Sequence, residues 1–283
     1  MKYSGIGGQA VIEGIMMMKG EDYAVAVRRP DKEIEVKKDT YQSITKKAKI
    51  LQLPFVRGVF RFADSMIIGM RSLSYSASFF EDDEDAEPGK FEQLLDRVFG
   101  EKLESAIMAA VLVISFILAI GIFMLLPLGI ANLFKGVITS DHLMAVLEGV
   151  IRIAIFIIYI KLVSRMEDIR RTFMYHGAEH KCINCVEHGH PLTVKYVRES
   201  SKEHKRCGTS FILIVMVISI LMFMVIRVDT IWMRILSRII LVPVIAGISY
   251  EVLQCAGRSN SKFMDLVSRP GMWMQGLTTK EPD

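Results

Sequence analysis

Four long apolar stretches dominate the chain from residue 107 onward, at about Ile107–Leu128, Met144–Leu162, Ser210–Val228 and Leu236–Leu253. Each is close to the roughly 20 residues a helix needs to cross a bilayer, so the pattern predicts four transmembrane spans. Gly121 and Pro127 predict a bend or an end in the first. Ahead of the spans, residues 42–80 interleave Lys46, Lys47, Lys49, Arg57, Arg61 and Arg71 with Leu53, Phe55, Val56, Val59, Phe60, Met66, Ile67 and Ile68. That mixture predicts a basic amphipathic helix lying at the membrane surface or against the bundle. Tyr23–Arg28 and Glu33–Lys37 predict two short strands, with Arg29-Pro-Asp-Lys as the turn between them. Glycines at 5, 7, 8, 14 and 20 argue against a helix in the first 20 residues and for tight turns or close backbone approach. Their spacing fits no phosphate-binding loop or dinucleotide fingerprint. The acidic run Glu81–Glu87, ending at Pro88-Gly89, predicts a solvated linker.

The fold class that follows is mainly α: a polytopic membrane protein with about four transmembrane helices, a basic amphipathic helix and a small N-terminal β-element. The chain divides into a glycine-rich loop and β-element (1–41), a basic interfacial helix (42–80), an acidic linker with a pre-span helix (81–104), a four-span membrane domain (105–255) and a C-terminal tail (256–283). A connector at 164–209, rich in histidine and cysteine, sits inside the membrane domain.

Composition agrees, with 51% hydrophobic residues in 283. The net charge of +4 matters less than its distribution. Nine Lys/Arg stand between the second and third spans, from Arg165 to Arg206, whereas the connector between the first two spans offers only Lys135. The positive-inside bias then predicts a multi-pass protein of the cytoplasmic (inner) membrane with both termini and the long connector in the cytoplasm. No secretory signal peptide is expected, because the first apolar stretch is short and interrupted by Glu13. The four cysteines form no disulfide framework, and those facing the cytoplasm are expected as thiols or metal ligands. Topology accounts for the basic residues, so no nucleic-acid partner is expected.

The chemistry concentrates in the connector, which holds five of the six histidines. His176-Gly-Ala-Glu-His180 has the order H-x-x-E-H of the inverted zinc peptidases. In a helix His176, Glu179 and His180 share a face, so two imidazoles can hold one divalent ion, expected as zinc, with Glu179 as general base. Gly177 and Ala178 leave room around it. Glu251 is the first choice of third ligand, since an acid in an apolar segment calls for a partner or function and this one sits at the cytoplasmic end of the fourth span. His204 and Cys207, at the same face, come next. Glu148 lies at the outer side and reads as a packing carboxylate, and Cys255 as a buried small residue. A rival arrangement is a closed structural zinc site of Cys182-x-x-Cys185 and His204-x-x-Cys207, with His188 or His190 as substitutes. A third alternative has no metal, the polar groups forming a hydrogen-bonded cap. Glu13, in an apolar setting, is a ligand, an acid, or an ion-pair partner for Arg57 or Arg61.

Gly7-Gly-Gln-Ala-Val-Ile-Glu-Gly-Ile-Met-Met17, Tyr175-His-Gly-Ala-Glu-His-Lys181, His204-Lys-Arg-Cys-Gly-Thr-Ser-Phe211 and Pro270-Gly-Met-Trp-Met-Gln-Gly-Leu-Thr-Thr-Lys-Glu-Pro282 resemble the four marker motifs of a bacterial membrane-protein family, domain of unknown function 1385, the YqhQ-like proteins. Pro54–Ala77 is similar to that family's basic segment. The resemblance implies a metal at His176, Glu179 and His180, with His204 and Cys207 as further members, and it gives no substrate. It also adds Glu187 to the possible ligands or orienting carboxylates. Where this chain has Cys182 and Cys185, relatives carry a threonine and a small residue, which weighs against a general zinc site on those cysteines.

The functional expectation is a membrane-embedded metal-dependent hydrolase with a cytoplasm-facing site, a peptidase acting at the membrane surface. The alternative is a non-enzymatic scaffold, assembly factor or transporter component. Expected partners are the bilayer, a membrane-protein or peptide substrate, and a second copy of the chain.

Overall fold

The computed structural model describes residues 3–80, 103–226, 230–259 and 261–283, so the predicted acidic linker lies outside the described residues. The chain falls into two compact units, residues 1–80 with 159–283, and residues 81–158.

The first unit opens with a four-stranded antiparallel meander: β1 (Ile6–Val11), β2 (Gly14–Lys19), β3 (Asp22–Arg28) and β4 (Ile34–Thr40), in that order across the sheet. Of the two predicted strands, both are present as β3 and β4. The glycine-rich stretch, expected as a loop, forms β1 and β2. It is a tight hairpin in which Val11 pairs with Gly14 across Ile12 and Glu13. Side chains alternate between faces. Val11, Met16, Tyr23, Val25 and Val27 point one way and close a core with Tyr41 and Ile68. Val11, Val25 and Val27 are 0–1% exposed, each worth about 1.5–3 kcal/mol of burial.

Ile68 belongs to α1 (Val56–Ala77), which covers the later part of the stretch 42–80 predicted as one basic amphipathic helix; Lys46, Lys47 and Lys49 lie instead in two short 3-10 turns, Ile44–Lys47 and Lys49–Gln52, ahead of it. Its buried stripe includes Asp64, Ile68, Gly69, Ser72 and Ser76, and its other face exposes Phe62, Met66, Ile67 and Met70. The buried Asp64 carboxylate accepts hydrogen bonds from Tyr41 Oη (2.9 Å), Ser43 Oγ (2.5 Å) and the Ile44 N–H (2.9 Å).

In the second unit α2 (Leu103–Ile120) runs through a wider turn at Gly121–Leu125 into α3 (Leu126–Asn132), so the predicted irregularity is a π-type bulge with Pro127 opening the next helical segment. After it comes α4 (Asp141–Val163), most of which is in this unit, where Glu148 is buried and paired with Arg152 one turn on at 2.6 Å. The remaining helices belong to the first unit: α5 (Glu167–Glu187), α6 (Val194–Glu199), α7 (Gly208–Val225), α8 (Ile231–Arg258) and α9 (Lys262–Thr278).

Among the described residues four helices are long and apolar enough to cross a membrane: Ala110–Asn132, Asp141–Val163, Gly208–Val225 and Leu236–Arg258. They match the four predicted spans to within a few residues, and the molecule is a multi-pass membrane protein. Cys255 is exposed on α8 instead of buried. Of the C-terminal aromatic-methionine run, Trp273 is 64% exposed while Met274 is 1% exposed in the packed face of α9.

Candidate metal centre

Helix α5 carries the H-x-x-E-H run near its middle. Acidic Glu167 and Asp168 in its first turn suit the positive end of the helix dipole. His176 and His180 lie one turn apart, with ring centroids 4.4 Å apart. Each imidazole is fixed from behind. His176 Nδ1 lies 2.9 Å from the Thr278 carbonyl oxygen, and His180 Nδ1 lies 2.7 Å from that of Lys202. A carbonyl only accepts, so Nδ1 carries the proton in both rings and Nε2 presents a lone pair. Outward carbonyl partners of this kind are what orient metal-binding histidines.

Cys207 completes the group. The ligand atoms of His176, His180 and Cys207 all lie within 4.8 Å of one another, and Cys207 Sγ is 3.2 Å from His176 Nε2. Cys207 also caps α7, accepting the Thr209 N–H at 3.4 Å, which brings the positive helix end to the sulfur. His180 is 2% and Cys207 5% exposed, so the group is sheltered.

Glu179 stands beside these rings. It is 4% exposed, and its Oε2 has no hydrogen-bond partner. Burial raises its carboxyl to about 7, against a smaller opposing influence from His176. Strand β1 covers it: a Cβ on Gly8 would stand 2.8–2.9 Å from Glu179 Cγ, Cδ and Oε1, so only glycine lets the strand approach. Gly177 has a related role. The room it was expected to leave for a metal is filled by the tail backbone, because a Cβ there would overlap the Lys280 carbonyl oxygen. The Lys280 N–H in turn donates to the Phe173 carbonyl at 2.8 Å.

Glu251, the first choice of third ligand, is placed elsewhere. Its two oxygens take Arg57 in a fork at 2.7 and 2.6 Å, and one also accepts the Phe55 N–H at 3.3 Å. The acid in the apolar segment therefore anchors the start of α1 on α8, and Cys207 stands where Glu251 was expected.

His204 is near, its ring centroid 5.9 Å from that of His180, but both nitrogens are used. Nδ1 accepts the Arg206 N–H at 3.3 Å, and Nε2 faces Glu187 Oε2 at 3.4 Å. Burial, reinforced by Arg206 and opposed by Glu187, pushes its imidazole down to about 4, so the ring is neutral near pH 7 and donates through Nε2. Glu187 also accepts from Ser4 N (3.0 Å) and Ser4 Oγ (2.8 Å) and pairs with Arg206. Burial pushes its carboxyl up, but the Ser4 hydrogen bonds, Arg206 and His204 together outweigh it and hold it below the usual range. Glu187 thus orients the loop before α7.

Glu13 forms an ion pair, with Arg171 as partner instead of Arg57 or Arg61, and accepts the Tyr175 hydroxyl at 3.1 Å. Its backbone sits at φ 48°, a left-handed conformation at the hairpin tip that turns the carboxylate onto α5. The four residues of the closed-site alternative part company: Cys207 joins His176, His204 joins Glu187, and Cys185 points its buried thiol at the Pro191 carbonyl, 3.5 Å away. Burial raises the Cys182 thiol, with Cys185 and Glu179 adding to it. His188 turns back to the Asn184 carbonyl at 2.7 Å, and His190 stacks on Tyr196.

Several site residues had no sequence-level role. Gln275, 0% exposed, accepts the His204 N–H (2.9 Å) and donates to the His204 carbonyl (2.7 Å) and to Ser210 Oγ (2.8 Å). Asn184 donates to the Ser201 and Glu203 carbonyls, and Lys181 to those of Arg198 and Ser200. Gln275 and Thr278 lie inside the Pro270–Pro282 motif, whose length was the available signal.

A family model described as "Protein of unknown function (DUF1385)" matches residues 53–283. The chain is similar to "Uncharacterized protein YqhQ" of Bacillus subtilis (strain 168), with 34% identity over 277 residues, covering 98% of this chain and 86% of that protein. No solved structure matches.

Proposed function

The chain belongs to the DUF1385 family, and on that premise we propose that it is a membrane-embedded metal-dependent hydrolase, a peptidase whose site faces the cytoplasm. The observation that carries the reading is the union of two Nε2 lone pairs, one thiol sulfur and a buried carboxylate oxygen without a partner. Two imidazoles and a sulfur are a donor set that suits zinc, and three protein ligands leave a fourth position for catalysis.

His176, His180 and Cys207 would hold a divalent ion, which when bound would supply Lewis acidity toward a carbonyl or phosphoryl oxygen and toward water. Glu179 Oε2 takes the proton and returns it to the leaving group, a role suited to a carboxyl brought near neutrality by burial. The Thr278 and Lys202 carbonyls keep both rings in the ligating tautomer. Gly8 brings β1 against Glu179 and keeps bulk water off that side. The nine cationic residues of the connector support a cytoplasmic position for this face, by the positive-inside bias.

The test is Glu179→Gln in purified, metal-loaded protein incubated with a peptide library, new termini being read by mass spectrometry. The variant is expected to keep its metal and its melting temperature and to lose turnover by roughly 10²–10⁴-fold. Cleavage at the wild-type rate would contradict the assignment. One observation favours a second reading, a structural metal in a scaffold: His180, Cys207 and Glu179 are all sheltered, and the carbonyl partners of His176 and His180 tie α5 to the end of α9 and to the loop before α7. Under that reading metal removal lowers the melting temperature, and Glu179→Gln leaves every cellular function intact.

A further inference from the structure

On the far side of β1 from the histidines, between the sheet and the C-terminal half of α1, lies a cavity of about 430 Å³. That volume is within the range of small-molecule sites and well above what a single inorganic ion fills. Strands β3 and β4 contribute Tyr23, Lys37 and Asp39 to its lining, and α1 contributes Arg71, Ser72 and Tyr75. The register explains the strand side. Lys37 pairs with Val25 and Asp39 with Tyr23, so all four point toward α1, while Lys38 pairs with Ala24 and points away.

Three features make this a recognition site and not a packing gap. Among the described residues Lys37 and Arg71 have no carboxylate partner; each rests on an aromatic ring instead, Lys37 Nζ 4.8 Å from the Tyr75 centroid and Arg71 Cζ 5.7 Å from that of Tyr41. The two cations face the cavity from opposite walls, one on β4 and one on α1. Ser72 is 1% exposed, yet its Oγ has no partner, whereas Ser76 and Ser78 further along close onto the Leu73 and Tyr75 carbonyls. A buried hydroxyl left open is costly and marks a missing polar group. Asp39 adds an acceptor, already taking the Tyr23 hydroxyl at 3.3 Å.

We propose that this cavity binds a phosphate-bearing ligand of net negative charge that also carries a hydrogen-bond donor, a hydroxyl or an N–H ammonium group. The phosphate lies between Lys37 and Arg71, the donor group faces Asp39, and the tyrosines flank the linker between them. Met70 lines the cavity and is 56% exposed, continuous with exposed Met66 and Ile67 on the apolar side of α1. Acyl chains have a surface to follow there, so the same chemistry is met by an anionic glycerophospholipid headgroup or by a soluble phosphate ester.

The test uses the full-length protein in a neutral maltoside detergent and measures binding by calorimetry. The probes are dihexanoyl-phosphatidylglycerol, glycerol 3-phosphate and dihexanoyl-phosphatidylcholine. Wild type is expected to bind the phosphatidylglycerol saturably and the phosphatidylcholine much more weakly. The Lys37→Ala/Arg71→Ala double variant is expected to lose about tenfold per cation removed. Lys37→Arg with Arg71→Lys retains most of the binding, and Lys38→Ala, on the opposite face, leaves it unchanged. Phosphatidylglycerol binding without glycerol 3-phosphate binding assigns the site to the membrane; comparable binding of both assigns it to a soluble ester. Equal affinity of wild type and the double variant, an equal loss in Lys38→Ala, equal binding of phosphatidylcholine, or no saturable binding of either anionic probe would overturn the proposal.

Discussion

Strand β1 is packed on both faces, and its two sides are built by opposite rules. Toward α1 the sheet presents Val11, Met16, Val25 and Val27, a core held by burial, which has no direction and tolerates exchange among similar shapes. Toward α5 many of the buried groups are polar, and most of these have an assigned partner: Asn184, Lys181 and Gln275 take loop carbonyls, Glu187 takes Ser4 and Arg206, and Glu13 takes Arg171. A network so fully satisfied makes its exceptions informative. The exception here is the free oxygen of Glu179, beside two imidazole Nε2 atoms and a thiol that lie within 4.8 Å of one another. What the polar side leaves unassigned marks the candidate metal site, whereas the valine core on the α1 side, next to the proposed cavity, carries stability.

Gln275→Ala attacks the polar side at its most enclosed joint. It leaves the backbone N–H and carbonyl of His204 buried without partners, a loss on the order of 2–4 kcal/mol. Thermal melting of detergent-purified protein should show it, with a weakened metal site alongside, because the same loop supplies Cys207. Val25→Ala attacks the apolar side. It should cost about 1–3 kcal/mol through lost contact and a residual cavity, and leave metal content per folded molecule unchanged. If Val25→Ala released metal as readily as Gln275→Ala, the two sides would not be separate systems. Glu281→Gln probes the rim of the polar side. Glu281 pairs with Lys181 at 2.6 Å but its own side chain is 62% exposed, so melting should move by less than about 1 kcal/mol and less still in high salt.

The spans were legible in the sequence because a bilayer imposes a length and an apolar composition that few soluble segments meet. The basic helix and strands β3 and β4 were legible from their patterns. Strands β1 and β2 were not: their glycines read as loop, although Gly8 is there so that a strand can lie against Glu179. At the site, the spacing of His176, Glu179 and His180 fixed a shared helix face, which is local information. The third member of the candidate group was a question of tertiary partners. Glu251 needed a partner, as an acid in an apolar segment does, and found Arg57, 194 residues earlier. His204 and Cys207 stood equal in the sequence; only the placement of Glu187 and Arg206 binds up His204 and leaves Cys207 facing the imidazoles.

The most direct measurement is the metal-to-protein ratio of wild type, Cys207→Ala, His180→Ala and Glu251→Gln, each purified under the same conditions and analysed by inductively coupled plasma mass spectrometry. The account predicts about one metal per chain in wild type and Glu251→Gln, and a loss of at least tenfold in affinity for Cys207→Ala and His180→Ala. Metal retained by Cys207→Ala and lost by Glu251→Gln, or no metal in the wild type after loading with zinc, would contradict it.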